Sequence, residues 1–168
     1  MPVRYVLYSA ILTSTFVIFG ILFVVKPEVA GPPEPILAIA IGAVAVVVAV
    51  VSFVLPGIVL KASVKQLGLE TRPAPNFGDL PAGTLVFANP AGARARAAAS
   101  LQTAMVVRLA LREAIALFGF VLGILGFGLP IVLPFFVLAW VLFALAFPSD
   151  GSMDRQLEKA AGAKLGAG

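Results

Sequence analysis

Between residues 36 and 60 the chain runs without one charged side chain, and it does so again from 5 to 25 and from 114 to 149. Apolar stretches of about 18 to 25 residues match the roughly 30 Å hydrocarbon core of a bilayer, which a helix crosses in about 20 residues. A strand alone in lipid leaves its backbone groups unbonded, so even the valine-rich second stretch reads as helix. Composition agrees. Of the 168 residues 61% are hydrophobic and 12% charged, with a mean hydropathy of +1.08, against about half and about a quarter in a soluble domain. Arg4 ahead of an apolar run resembles the start of a signal peptide, but the run reaches Val25 and no small-x-small site follows it. That is longer than the usual h-region of about 7 to 15 residues, so a retained helix is expected.

The expected fold class is all-α, an integral membrane four-helix bundle with spans at about 5–25, 36–58, 105–128 and 130–147. Lys26-Pro27 stops the first span, Gly31-Pro32-Pro33-Glu34-Pro35 makes an outer turn, and Pro56-Gly57 closes the second near Leu55, with Ile58 to Leu60 finishing it at the interface. Ala38, Gly42, Ala45, Ala49 and Ser52 recur at spacings of four and three, so one face of the second helix is small enough for close packing. The segment 61–102 is polar and is expected as a cytoplasmic loop, with a short extended piece at 84–87 and an alanine-rich stretch, 93–101, that extends the third helix. Gly126, Gly128, Pro130 and Pro134 set a tight turn between the last two spans. The tail 148–168 holds a short amphipathic helix over 153–165.

Basic residues accumulate in cytoplasmic segments. Of the twelve Lys and Arg, only Lys26 falls on the side of the first and third connections, and the other eleven fall on the opposite side. Both termini are therefore expected in the cytoplasm (N-in/C-in), in a multi-pass protein of the bacterial inner membrane.

The chain has no cysteine and no histidine, which removes disulfides, most zinc sites, haem ligation by His and every nucleophile–His pair. No cofactor, metal or enzymatic activity is expected, and the thinly spread basic residues give no nucleic-acid surface. The partners expected are the lipid bilayer and either a second copy or another membrane protein. Of the eight acidic residues only Glu113 lies inside a span. An ionisable group there costs about 2.5 kcal/mol or more and is normally neutral, paired or used. By helical rise it lies about 12 Å inward of Met105. Ser9 and Thr13, on a stripe with Tyr5, are the expected hydrogen-bond partners from the first helix. Arg108 and Arg112 are expected at the lipid headgroups. Two boundaries stay open: a span beginning near Arg112 makes Arg108, Arg112 and Glu113 an interfacial cluster with snorkelling arginines, whereas one beginning near Met105 embeds Glu113. Gly119-x-x-x-Gly123 permits close helix approach.

Ala110, Glu113, Ala114 and Gly119 fit an Ala-x-x-Glu-Ala-x-x-x-x-Gly pattern. In this stretch, 106–122, the chain resembles the carboxylate-bearing helix of rotary ATPase c subunits, the membrane proteolipids. With Gln102-Thr103 ahead of it, it looks still more like a group of small bacterial membrane proteins that share this helix and have no assigned role. The proteolipid resemblance implies that Glu113 binds a proton or sodium ion. Two functions follow: a structural or accessory helix bundle without enzymatic activity, or a proteolipid-like proton or ion carrier using Glu113.

Overall fold

The computed structural model describes residues 3–25, 34–74, 83–147 and 150–165. Lys26-Pro27, Gly31-Pro32-Pro33 of the expected outer turn, and Asp79 of the polar segment lie outside them. The fold is all-α with a small ribbon: α1 (Val3–Val24), α2 (Pro35–Gln66), β1 (Thr71–Pro73), β2 (Leu85–Phe87), α3 (Pro90–Ile124), α4 (Leu129–Leu145) and α5 (Asp150–Ala161). The chain forms two compact units. One comprises Met1–Val54 and Val107–Phe147, the other Leu55–Val106 and Pro148–Gly168.

In the first unit α1 and α2 have the length and apolarity to cross a membrane, and only 11% of the most apolar window of each is buried within the protein. The apolar α4 has 17 residues, and α3 carries Arg108, Arg112 and Glu113 among its otherwise apolar last turns. Ala45, Ile115, Ala116, Leu122, Val132, Phe136 and Ala139 form the core, with Ala38 and Ala49 packed against it. The small-residue face of α2 thus points inward, as the spacing of Ala38, Gly42, Ala45, Ala49 and Ser52 requires, and Ser52 is fully buried.

The α3–α4 turn is set by a Schellman motif. Gly126 takes a φ of 84°, its N–H bonds to the Gly123 carbonyl, and the Phe127 N–H bonds to the Leu122 carbonyl, each at 3.1 Å. Leu122 and Phe127 share the core, which supplies the motif's apolar contact. The next helix begins at Leu129, with Pro130 in its first turn, where a missing N–H costs nothing.

Two boundaries differ from the sequence expectation. Pro56 does not end α2, which continues to Gln66. A proline removes one ladder bond, and here its ring is fully buried, while Lys65 in the last turn suits the helix dipole. The segment 61–102 holds, among its described residues, the last turns of α2, both strands and the first turns of α3. Its end belongs to α3, started by Asn89, whose Oδ1 accepts the Gly92 N–H at 2.8 Å, with Pro90 as first helical residue.

The second unit has its own core. Ala93, Ala97, Leu101 and Ala104 form a stripe on α3 that is buried with Leu60, Val64, Phe87, Leu157 and Leu165. β1 and β2 pair antiparallel in the register Thr71↔Phe87, Arg72↔Val86, Pro73↔Leu85. Lys164 then joins β2 from the other edge, its N–H donating to the Leu85 carbonyl at 2.8 Å and its carbonyl accepting from Phe87 at 3.1 Å. The amphipathic helix α5 is followed by Gly162, which takes a φ of 68° and whose N–H donates to the Glu158 carbonyl at 2.9 Å. Glu158 also holds the tail, accepting from the Leu165 N–H at 3.0 Å and Lys164 Nζ at 3.3 Å. Arg94 and Asp154 form a two-pronged pair at 3.1 and 3.0 Å, and that hydrogen bond raises the Arg94 pKa above its ordinary value.

Candidate functional site

The polar groups of the first unit collect where α1, α3 and α4 meet. Paired contacts fix the helix directions. Tyr8 lies against Phe143 and Phe19 against Phe136, so α1 and α4 are antiparallel. Ser14 meets Glu113 and Leu22 covers Gly123, so α1 and α3 run parallel.

The last carbonyls of any α-helix lack partners within it. α4 has no basic residue in its last turn; the Phe143 and Ala144 carbonyls take the Ala146 and Phe147 N–H groups at 2.8 and 3.3 Å, and other helices supply further donors. The Arg112 guanidinium donates through Nη1 to the Leu142 carbonyl, and the Tyr8 hydroxyl donates to the Phe143 carbonyl at 3.0 Å. Arg112 is only 2% exposed and lies over the Phe53 ring of α2, 5.4 Å from its centroid. It is a buried cap on a helix C-terminus, where a positive charge is favoured by the macrodipole. The expectation that Arg112 reaches lipid headgroups is therefore overturned: its side chain is turned into the protein and spent on α4. Arg108, one turn earlier, is half-buried.

Glu113 is half-buried and bonds to the Ser14 hydroxyl near the midpoint of α1. The partners expected from the sequence, Ser9 and Thr13, are not the ones used. The Ser9 hydroxyl bonds back to the Tyr5 and Val6 carbonyls at 2.9 and 3.0 Å, and Thr13 points away, exposed. Thr13 and Ser14 are adjacent in sequence, but about 100° separates them around the helix, so Ser14 is the one that faces α3. Ser14 also bonds to the Ile11 carbonyl at 2.7 Å, as does Thr15 to Leu12. Thr15 in addition accepts the Trp140 indole N–H at 3.2 Å, and Trp140 stacks on Phe16 with centroids 4.7 Å apart. Tyr8, Thr15 and Trp140 were not singled out as site residues by sequence; their signal is a hydroxyl or indole at positions that only the packing shows to face α4.

The glycines are contact points. A methyl at Gly119 would lie 2.8 Å from Phe135 Cβ and 3.2 Å from the Val132 carbonyl oxygen, and one at Gly123 would lie 2.6 Å from Leu22 Cδ2. Gly119 thus lets α4 approach α3, and Gly123 admits α1. Gly42 meets only the tip of Phe135, at 4.0 Å.

Among the described residues no three His, Cys, Asp or Glu side chains gather where they could hold a metal ion. A polar depression of about 130 Å³ in the second unit is lined by Glu70, Asn89 and Arg96 with Leu69, Gly92 and Ala93; its charges are opposed and Asn89 is occupied as the helix cap. No protein-family model, curated protein or solved structure matches the chain.

Proposed function

We propose that the chain is a polytopic protein of the bacterial inner membrane, a four-helix bundle with both termini in the cytoplasm, and that it serves as a structural or accessory component without enzymatic activity. Large apolar side chains point outward from all four long helices, among them Phe23, Ile39, Val50, Val121 and Leu145. A soluble monomer rarely leaves so much contiguous apolar surface in water, and lipid is the solvent that suits it. The observation that carries the structural reading is the use of the interior charges: Arg112 caps α4 and Glu113 bonds to a hydroxyl of α1. Each holds one helix to another, so the natural role of the pair is to fix the arrangement of the bundle. The outward faces remain for lipid, a second copy or another membrane protein.

One observation favours the alternative, a proteolipid-like proton or ion carrier. Glu113 keeps part of its surface exposed and has a neutral hydroxyl, that of Ser14, as its hydrogen-bond partner. Substitution separates the two. In the structural reading Glu113→Gln keeps an acceptor for Ser14 and changes stability in detergent by less than about 0.5 kcal/mol, whereas Ser14→Ala costs about 0.5–1.5 kcal/mol. Dicyclohexylcarbodiimide leaves no adduct on Glu113 at mild pH. Ready labelling of Glu113, together with ion flux in proteoliposomes that Glu113→Gln abolishes, would replace the structural reading with the carrier.

A further inference from the structure

Eight of the twelve Lys and Arg fall in the second unit, against five Asp and Glu, and the two signs are sorted there. On α5, Asp154 pairs with Arg94, and Glu158 takes Lys164 and the Leu165 N–H. Steps of about 100° per residue carry Arg155 and Lys159, one turn apart, to the side of α5 away from the fully buried Leu157, and both are exposed. Arg155 donates through Nε to the Gly151 carbonyl at 3.0 Å, a neutral acceptor that leaves its charge in place. On α2, Leu60 and Val64 enter the core, while Lys61 and Lys65 stand exposed, again one turn apart. None of these four bases forms an ion pair among the described residues. Glu70, the exposed acid among the unit's described residues, lines a depression together with Arg96.

Lys61 is the first charge after the uncharged run 36–60, and Lys65 lies about 6 Å further along the helix axis. In a bilayer that places both within or beside a headgroup layer about 5 to 8 Å deep. α5 starts five residues after α4 ends, a length of chain that spans at most about 18 Å. Its apolar side is already occupied by the second core, so α5 offers a membrane charge and not insertion. We propose that Lys61, Lys65, Arg155 and Lys159 hold the phosphate headgroups of anionic phospholipids in the cytoplasmic leaflet, so that the second unit selects acidic over zwitterionic lipid. Each Lys or Arg near an anionic membrane strengthens binding by about fivefold, and lysine meets phosphate as a point charge that needs no fitted pocket. An acidic protein segment carries the same sign of charge, but the lipid is held beside these bases by the chain itself. The inference rests on the membrane reading.

The test mixes the purified protein in detergent with equimolar phosphatidylglycerol and phosphatidylcholine of identical acyl chains and counts the bound lipids by native mass spectrometry. The parent is expected to prefer phosphatidylglycerol by about fivefold or more. The quadruple variant Lys61→Gln, Lys65→Gln, Arg155→Gln, Lys159→Gln is expected to lose most of that preference, and either pair of substitutions part of it, while Lys61→Arg with Lys65→Arg keeps it. All four side chains are exposed, so the variants should retain the circular dichroism of the parent. Equal binding of the two lipids, or a preference that the quadruple variant retains, would overturn the inference; with equal binding, an acidic segment of a protein partner becomes the occupant of the basic surface. A parent that alkaline carbonate strips from vesicles would refute the membrane reading and the inference with it, whereas one that resists carbonate and binds both lipids equally would refute the inference alone.

Discussion

Arg112 and Glu113 are neighbours of opposite charge, yet they bond to different helices. A helical step of about 100° sends them in divergent directions, Arg112 to the end of α4 and Glu113 to α1. The sequence marked both as the charges that break an apolar helix, but not their partners, because a backbone carbonyl at a helix end has no sequence signature. Arginine in an apolar helix suggested snorkelling to headgroups. The C-terminus of α4 offered a closer set of acceptors and won. Leucine at 112 would leave the Leu142 carbonyl without this donor, so Arg112→Leu is expected to lower unfolding stability by about 1–3 kcal/mol, and Tyr8→Phe by about 0.5–1.5 kcal/mol. Denaturation followed by circular dichroism in one detergent compares them; an Arg112→Leu protein as stable as the parent would show that the cap contributes nothing.

At the scale of elements, close approach depends on a few glycines and not on all. Gly119→Ala forces a methyl against Phe135 and the Val132 carbonyl, one of them backbone that cannot turn aside, and overpacking of this kind costs about 1–3 kcal/mol. Nothing lies within 4 Å of a methyl at Gly20, so Gly20→Ala should be neutral or slightly stabilising through helix propensity. A thermal shift from Gly20→Ala as large as that from Gly119→Ala would contradict this packing. The small residues of α2 that pack inward, and the glycines at which α3 is closely approached, stand on spacings visible in the sequence. The extended piece at 84–87 was legible too, since Leu85-Val86-Phe87 is a β-prone run. Its partner Thr71–Pro73 was not: a three-residue edge strand ending in proline, amid turn residues, has no periodicity to detect. Pro56 misled in the other direction, since packing kept α2 intact through a local break signal.

For the whole molecule, the helix extension at 93–101, the extended piece at 84–87 and the helix of the tail share a second core with the end of α2, and that sharing is what the sequence did not show. Leu60, Ala97, Leu101, Leu157 and Leu165 come from three separate stretches, and contacts so distant in sequence leave no local pattern. Removing 157–168 would delete Leu157, Leu165 and the Lys164 bridge, so that truncation should make 55–106 sensitive to limited proteolysis at concentrations of protease that leave the full chain intact. The proposed bundle requires four crossings of a bilayer, of which α1 and α2 have the ordinary length and charge for a span while α3 and α4 are a charged helix and a short one. Impermeant thiol labelling of the cysteine-free chain carrying Leu129→Cys, at the turn between them, tests this directly. Four crossings predict that Leu129→Cys labels from outside together with Lys26→Cys, while Lys61→Cys and Ser152→Cys label only from inside; Leu129→Cys labelling only from inside would contradict the account.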